Sequence, residues 1–130
     1  MKHLLLIEPN AQLGATYQRS LELTGDWQVS LCSHAQAAIT AADAQQPDVV
    51  VLELELARHN GFEFLYEFRS YPEWRQVPVV VHSFVRPDPD VMHKGSWTDQ
   101  MGITSYLYKP LTSLAKLNEM AQKALIVASI

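Results

Sequence analysis

The chain has 130 residues, enough for one domain over residues 1–130 with a sizeable core and no need of disulfide staples. Hydrophobic residues make up 48% and charged residues 18%, as expected of a soluble globular protein. The formal charge of -4 and the lack of a Lys/Arg cluster argue against direct nucleic-acid binding. Cys32 is the only cysteine, so no intramolecular disulfide forms, and its apolar strand context predicts a buried thiol. No apolar run reaches signal-peptide or membrane-span length, and a reducing cytoplasm is the expected compartment.

The first apolar run, Leu4 to Ile7, ends in Glu8-Pro9-Asn10 and predicts a buried strand and a turn. Asn10 then caps a helix over Ala11 to Thr24, with Leu13, Tyr17 and Leu21 on one face and Gly25 as its stop. Trp27 to Cys32 alternates as a second strand. Ser33 is expected to cap a helix whose apolar positions are Ala35, Ala38, Ile39 and Ala42, ended by Pro47. Asp48 to Leu52 holds a continuous β-branched run, Val49 to Val51, the pattern of a strand buried on both faces. A third helix spans about Phe62 to Ser70. Val77 to Val81 reads as the fourth strand, and its polar end reaches His82-Ser83. A Pro-rich stretch, a weakly patterned helix over Val91 to Met101 and a short strand, Ser105 to Tyr108, follow. Leu114, Leu117, Ala121, Ala124 and Leu125 form the stripe of a terminal helix.

Strands alternating with helices imply right-handed crossovers and a parallel sheet covered on both faces. Five such units are too few for a closed barrel, so the expected fold is an open, doubly wound α/β sheet. Ligands of such sheets bind outside the carboxyl ends of the strands. Those ends carry Glu8, Glu53, His82-Ser83 and Lys109-Pro110, which places two carboxylates, a hydroxyl and an ammonium in one small volume.

Four segments carry a resemblance to the receiver domain of two-component response regulators: Leu4 to Asn10, Pro47 to Leu56 with Gly61, Pro78 to Ser83, and Gly102 to Leu111. The resemblance implies a flavodoxin-like topology with strand order 2-1-3-4-5. It places Glu53 at the phosphoacceptor position and Ser83 at the switch hydroxyl. Tyr106 stands at the strand-five aromatic that turns inward on activation. Lys109 is the family-type lysine, followed by Pro110, where the family usually has a cis bond. Receivers carry two acids after strand one for Mg²⁺; here those positions hold Glu8 and Pro9.

Two departures matter physically. Pro9 has no ligating side chain, which leaves Glu8, Glu53 and the backbone carbonyl of Glu55 as weak metal candidates. Glu53 is longer than aspartate by one methylene, about 1.5 Å, and phosphoryl transfer depends on positioning finer than that. Weak or no Mg²⁺ binding and no phosphorylation are therefore expected. The longer arm pushes the carboxylate toward the place of a phosphoryl group, within reach of Lys109 and Ser83, where it would favour an active-like state.

The favoured function is a phosphorylation-independent (pseudo-)receiver, a protein-interaction module of bacterial signalling rather than an enzyme. Its partner would be a kinase, output domain or regulator, or a second copy in a homodimer. The resemblance implies contact through Val91 to Met101, Tyr106 and Leu111 to Ile130. The alternative is a receiver that a histidine kinase phosphorylates at Glu53. A cofactor-binding enzyme is disfavoured, because the first turn, Glu8 to Gln12, has no phosphate cradle. No output domain follows the fifth helix, so either a stand-alone receiver or a piece of a longer regulator is expected. The histidines, His3, His34, His59, His82 and His93, show no metal-ligand spacing. Phe62, Phe64, Leu65, Tyr66 and Phe68 encircle the third helix; core accounts for part of them and a contact surface for the rest. Tyr71, Trp74 and Trp97 are further candidate anchors for a partner.

Overall fold

The computed structural model describes residues 1–56, 60–89 and 97–129. Strands β1 (Lys2–Ile7), β2 (Trp27–Cys32), β3 (Val49–Leu52), β4 (Val79–Ser83) and β5 (Ile103–Tyr108) alternate with helices. These are α1 (Ala11–Glu22), α2 (Ala35–Ala44), α3 (Gly61–Ser70), α4 (Trp97–Gln100) and α5 (Leu114–Ser129). Short 3-10 turns occupy Pro72–Trp74 and Lys109–Leu111. The strands are parallel and ordered β2-β1-β3-β4-β5, the doubly wound arrangement expected.

Strand alternation divides the core into two layers. Leu5, Ile7, Val50, Leu52 and Val81 face Ile39, Phe64, Leu65 and Phe68. Leu4, Leu6, Val49, Val51 and Val80 face Tyr17, Leu21, Leu117 and Ala121 on the other side. Each such side chain contributes about 1.5–3 kcal/mol when fully buried. This two-sided burial explains why Val49–Leu52, at the sheet's centre, carries no polar residue.

Register brings the strand ends level. Ile7 lies opposite both Cys32 and Leu52, Leu52 opposite Val81, and Ser83 opposite Tyr108. Backbone bonds from Glu8 to Cys32 (2.9 Å) and from Glu53 to Ile7 (3.0 Å) carry the ladder one residue further. The next residues out of the sheet are the polar ones.

Several boundaries differ from the sequence expectation. His34, not Ser33, caps α2: the helix starts at Ala35, and His34 Nδ1 accepts the Ala37 N–H at 3.2 Å. β4 begins at Val79 rather than Val77, because Pro78 has no N–H to give a ladder. β5 starts earlier than Ser105, after Gly102 turns with φ of 71° and a register shift between Val79 and Val80 absorbs one residue. The expected helix over Val91 to Met101 lies mostly outside the described residues; within them helix covers Trp97–Gln100. Leu114 is 41% exposed at the first turn of α5, off the stripe that buries Leu117, Ala121 and Ala124.

At the start of α3, Asn60 Oδ1 accepts the Glu63 N–H at 2.9 Å. A Cβ on Gly61 would lie 2.8 Å from Leu54 Cα, so glycine alone lets α3 begin this close to the end of β3. Trp74 is core, not a partner anchor: it is buried and stacked on Phe68 at 4.9 Å. Trp97's side chain, His59 and His93 lie outside the described residues. Cys32 is buried as expected. Among the described residues, no helix is long and apolar enough to cross a membrane.

Candidate functional site

Glu8, Glu53, Ser83 and Lys109 meet at the carboxyl edge of the sheet, and all four are buried. Lys109 Nζ lies 2.5 Å from Glu8 Oε1 and 2.7 Å from Glu53 Oε1, so one ammonium serves two carboxylates. Glu8 folds back on its own turn, where Oε2 accepts the Asn10 N–H at 3.1 Å. Gly14 brings α1 against this corner: a Cβ there would lie 2.9 Å from Leu31 Cδ1 and 3.5 Å from Glu8 Cγ.

Glu53 has both oxygens engaged. Oε1 accepts from Lys109 and, at 3.2 Å, from the Phe84 N–H. Oε2 accepts from the Ser83 hydroxyl and, at 3.1 Å, from the Glu55 N–H. The network continues outward, with Val85 donating its N–H to Ser83 Oγ at 3.0 Å. Tyr106, half-buried against the core, donates its hydroxyl to the Val85 carbonyl at 2.8 Å. A chain of hydrogen bonds thus runs Glu8, Lys109, Glu53, Ser83, Val85, Tyr106.

Two rings close over the ammonium. Lys109 Nζ is 4.7 Å from the Phe84 ring and 5.8 Å from the Tyr17 ring, both within cation–π range. Phe84 itself is 50% exposed, so it separates the ion pairs from solvent. His82 lies beneath, its ring edge-on to Tyr17 at 4.8 Å, as a strand residue packed under a helix. His82 Nδ1 is buried without a hydrogen-bond partner.

The electrostatics follow from this packing. Burial pushes the Glu53 carboxyl up, but hydrogen bonds from Lys109, Ser83 and the Glu55 N–H together hold it below the ordinary value. Burial likewise pushes Lys109 down, and its bonds to Glu53 and Glu8 more than reverse this, keeping it charged. Burial, with Lys109's charge nearby, lowers His82 from 6.5 to about 4, so it is neutral near pH 7. Burial raises Tyr106 and Tyr17.

Each of the four carboxylate oxygens already accepts at least one hydrogen bond. Glu55 donates its backbone N–H to Glu53 Oε2. The residue beside Glu8 is Pro9, which offers no side-chain ligand. Among the described residues, no three His, Cys, Asp or Glu side chains converge to hold a metal ion. These residues do not fit a carboxylate-held divalent cation without giving up the Lys109 pairs.

The Lys109–Pro110 bond is trans, against the cis bond that the resemblance implied. Pro110 sits in the first turn of the 3-10 turn Lys109–Leu111, where its fixed φ suits the backbone. Sequence reasoning missed Phe84, whose backbone N–H and ring both meet the site. It read Tyr17 only as part of the apolar stripe of α1. The available signals were Phe84's place directly after β4 and Tyr17's place two turns into the helix that follows Glu8.

Known proteins agree with this architecture. Residues 4–122 match the model of the response regulator receiver domain, and the chain belongs to that family. It is 30% identical over 108 residues to the alginate biosynthesis transcriptional regulatory protein AlgB of Pseudomonas syringae pv. tomato, covering 82% of this chain and 22% of AlgB. It is 29% identical over 97 residues to protein RcaC of Microchaete diplosiphon, covering 75% of this chain and 14% of RcaC. The chain therefore spans less than a quarter of the length of either relative. A CheY-like response regulator receiver domain protein from Methanospirillum hungatei superposes with a TM-score of 0.84 at 14% identity, covering 99% of this chain and 97% of that one. Receiver domains are signalling modules that interact with kinases and output domains.

Proposed function

We propose that this receiver domain signals without phosphorylation, as a protein-interaction module of the cytoplasm whose Glu53 takes the place of an acyl phosphate. The observation that carries this reading is the complete engagement of the Glu53 carboxylate by Lys109, Ser83 and two backbone N–H groups. Those are the donors that a phosphoryl group at this position would recruit. Ser83 is drawn toward position 53 and Tyr106 is tied inward to Val85, the active-like arrangement. Mg²⁺ binds weakly or not at all, since Pro9 supplies no side-chain ligand and the carboxylate oxygens already accept hydrogen bonds. The partner docks on the face made by Val91 to Met101, Tyr106 and Leu111 to Ile130, where a second copy can also pair.

Incubation with acetyl phosphate and Mg²⁺, followed by intact mass measurement, leaves the protein unmodified. A stable acyl phosphate on Glu53 overturns the reading in favour of a phosphorylatable receiver. The mimicry claim has its own test: in Glu53→Gln, the amide and ring resonances of Ser83, Val85 and Tyr106 shift toward a second state. Unchanged resonances would show that Glu53 merely fills space beside Lys109.

A further inference from the structure

The ammonium groups of Lys109, Lys116 and Lys123 each pair with a carboxylate. Two guanidinium groups at the other edge of the sheet do not. Arg69 and Arg75 line one open cavity of about 250 Å³ where β4 and β5 begin. Among the described residues, no carboxylate pairs with either. Arg69 donates there to backbone carbonyls alone. Nε reaches Met101 at 2.8 Å, Nη1 reaches Trp74 at 2.7 Å and Arg75 at 3.3 Å, and Nη2 reaches Gly102 at 3.5 Å. A guanidinium has five N–H donors, so these four acceptors leave one N–H on Nη2 to give. Carbonyl dipoles do not cancel the charge, and burial lowers the Arg69 guanidinium below its ordinary value. Arg75 is exposed, and its guanidinium has no partner among the described residues. Gln76 and Thr104 add polar groups to the wall, while Val77, Pro78 and Val127 make the rest of it apolar.

We propose that this cavity binds a small anion, a phosphate or carboxylate group carried on a compact apolar body. Guanidinium forks match the oxygens of either group in bidentate fashion. Two cations sharing one pocket repel each other, and an anion from outside supplies the charge that no neighbouring acid does. The apolar wall suits the carbon frame of such a ligand, and the volume restricts it to a small molecule. The rival reading is structural. Val127 lies in the last turn of α5, whose carbonyl end favours cations. Yet among the described residues no hydrogen bond carries either guanidinium to that helix end. The cavity stands at the amino edge of the sheet and Glu53 at the carboxyl edge, so the inference does not rest on how Glu53 is used. Covalent labelling by acetyl phosphate and anion binding here therefore fail independently.

The test is a ¹⁵N NMR titration of the whole chain at constant ionic strength. The probes are inorganic phosphate, phenyl phosphate and benzoate, with benzyl alcohol as the neutral control. Inorganic phosphate is expected to shift the side-chain N–H signals of Arg69 and Arg75 and the amides of Val77, Gly102 and Thr104. One of the two organic anions binds the same residues about threefold or more tighter than inorganic phosphate, and which one does so names the group as phosphate or carboxylate. Arg75→Gln weakens binding about tenfold or more, and Arg75→Lys about threefold or more, since a point charge lacks the fork. Val127→Glu sets a carboxylate on the wall and abolishes binding, which keeps the proposal testable should Arg75→Gln fail to fold. Shifts spread over the other arginines, or none at tens of millimolar phosphate, overturn the proposal. So do equal binding of benzyl alcohol, organic anions no tighter than inorganic phosphate, or unchanged binding in the folded variants. A lower melting temperature for Arg75→Gln with no anion effect on the wild type also overturns it, since the guanidinium would then serve α5 alone.

Discussion

Replacing Lys109 by methionine removes the cation and keeps most of the stem volume. In the wild type its Nζ lies 2.5 and 2.7 Å from two carboxylates on side chains only 3% exposed. Removing one partner of such a buried arrangement costs about 3–5 kcal/mol, because uncompensated charge stays in a low-dielectric site. Against a total of about 5–15 kcal/mol for a domain this size, that loss lowers the melting temperature by roughly 10–20 °C. The pH dependence separates this electrostatic cost from lost packing. Glu53 is held below its ordinary value, so its stabilising effect is complete above the ordinary carboxyl range and is lost as pH falls through the lower folded value. Lys109 is raised, so its contribution is complete below its ordinary value and is lost only at alkaline pH. Without Lys109, burial dominates and carries the Glu53 carboxyl above its ordinary value. Acid then neutralises the stranded charge and relieves the variant while it weakens the wild type. Urea melts from pH 7 to pH 4 are expected to show the gap between wild type and Lys109→Met narrowing steadily. A gap under about 1 kcal/mol at pH 7, or one that is constant across this range, refutes the reasoning.

Neutral His82 takes up its proton in the unfolded chain near 6.5 and in the fold only near 4. Stability therefore falls as pH drops through that window, by up to about 3 kcal/mol, and His82→Phe should flatten this part of the melting profile. Gly61→Ala places a methyl 2.8 Å from Leu54 Cα. The β3–α3 junction must open, and a loss of about 1–3 kcal/mol in urea unfolding is expected. Gly102→Ala combines a backbone φ of 71° with a Cβ 2.5 Å from Arg69 Nη2. About 1–3 kcal/mol is expected to go, again read by urea unfolding. Glu53→Asp alone is expected to stay unlabelled by acetyl phosphate and Mg²⁺, whereas Glu53→Asp with Pro9→Asp gains Mg²⁺-dependent labelling visible by intact mass.

The sheet was legible because its strands are pure: Val49 to Leu52 admits no alternative to a central strand, and the polar residues that end each run announce the site. Glu8, Glu53, Ser83 and Lys109 could be brought together from topology alone, since parallel strands must end on one edge. What topology leaves undetermined is the wrapping. Phe84's signal is no more than its place directly after β4, because its ring and N–H act on Lys109 and Glu53 across the sheet rather than along the chain. The aromatic helix shows the same limit. Its large apolar residues encircle it, so the sequence left open which of them face the core, and Trp74's burial depends on the 3-10 turn that folds it back under Phe68. His34 caps α2 in place of Ser33 because the helix begins at Ala35, the first residue of the apolar stripe and one residue later than a Ser33 cap requires.

Donor accounting at position 53 connects the fold to the proposed function. Two neighbouring backbone N–H groups, one hydroxyl and one ammonium converge on a single point at the sheet edge. Their proximity follows from the parallel strand ends, and the Glu53 carboxylate gathers them onto one point. In the absence of an anion these donors would be buried and poorly satisfied, a penalty of about 1–3 kcal/mol for each group. An aspartate is shorter by about 1.5 Å, and on the proposed reading its carboxylate leaves the donors short of a partner until a phosphoryl group arrives. Glutamate spans the gap permanently. On the same reading, the extension that satisfies the donors also removes the vacancy into which a phosphoryl group would transfer. Pro9, which lacks a carboxylate, would on that reading cost the domain nothing, because a site filled by its own side chain needs no metal to neutralise an incoming phosphate.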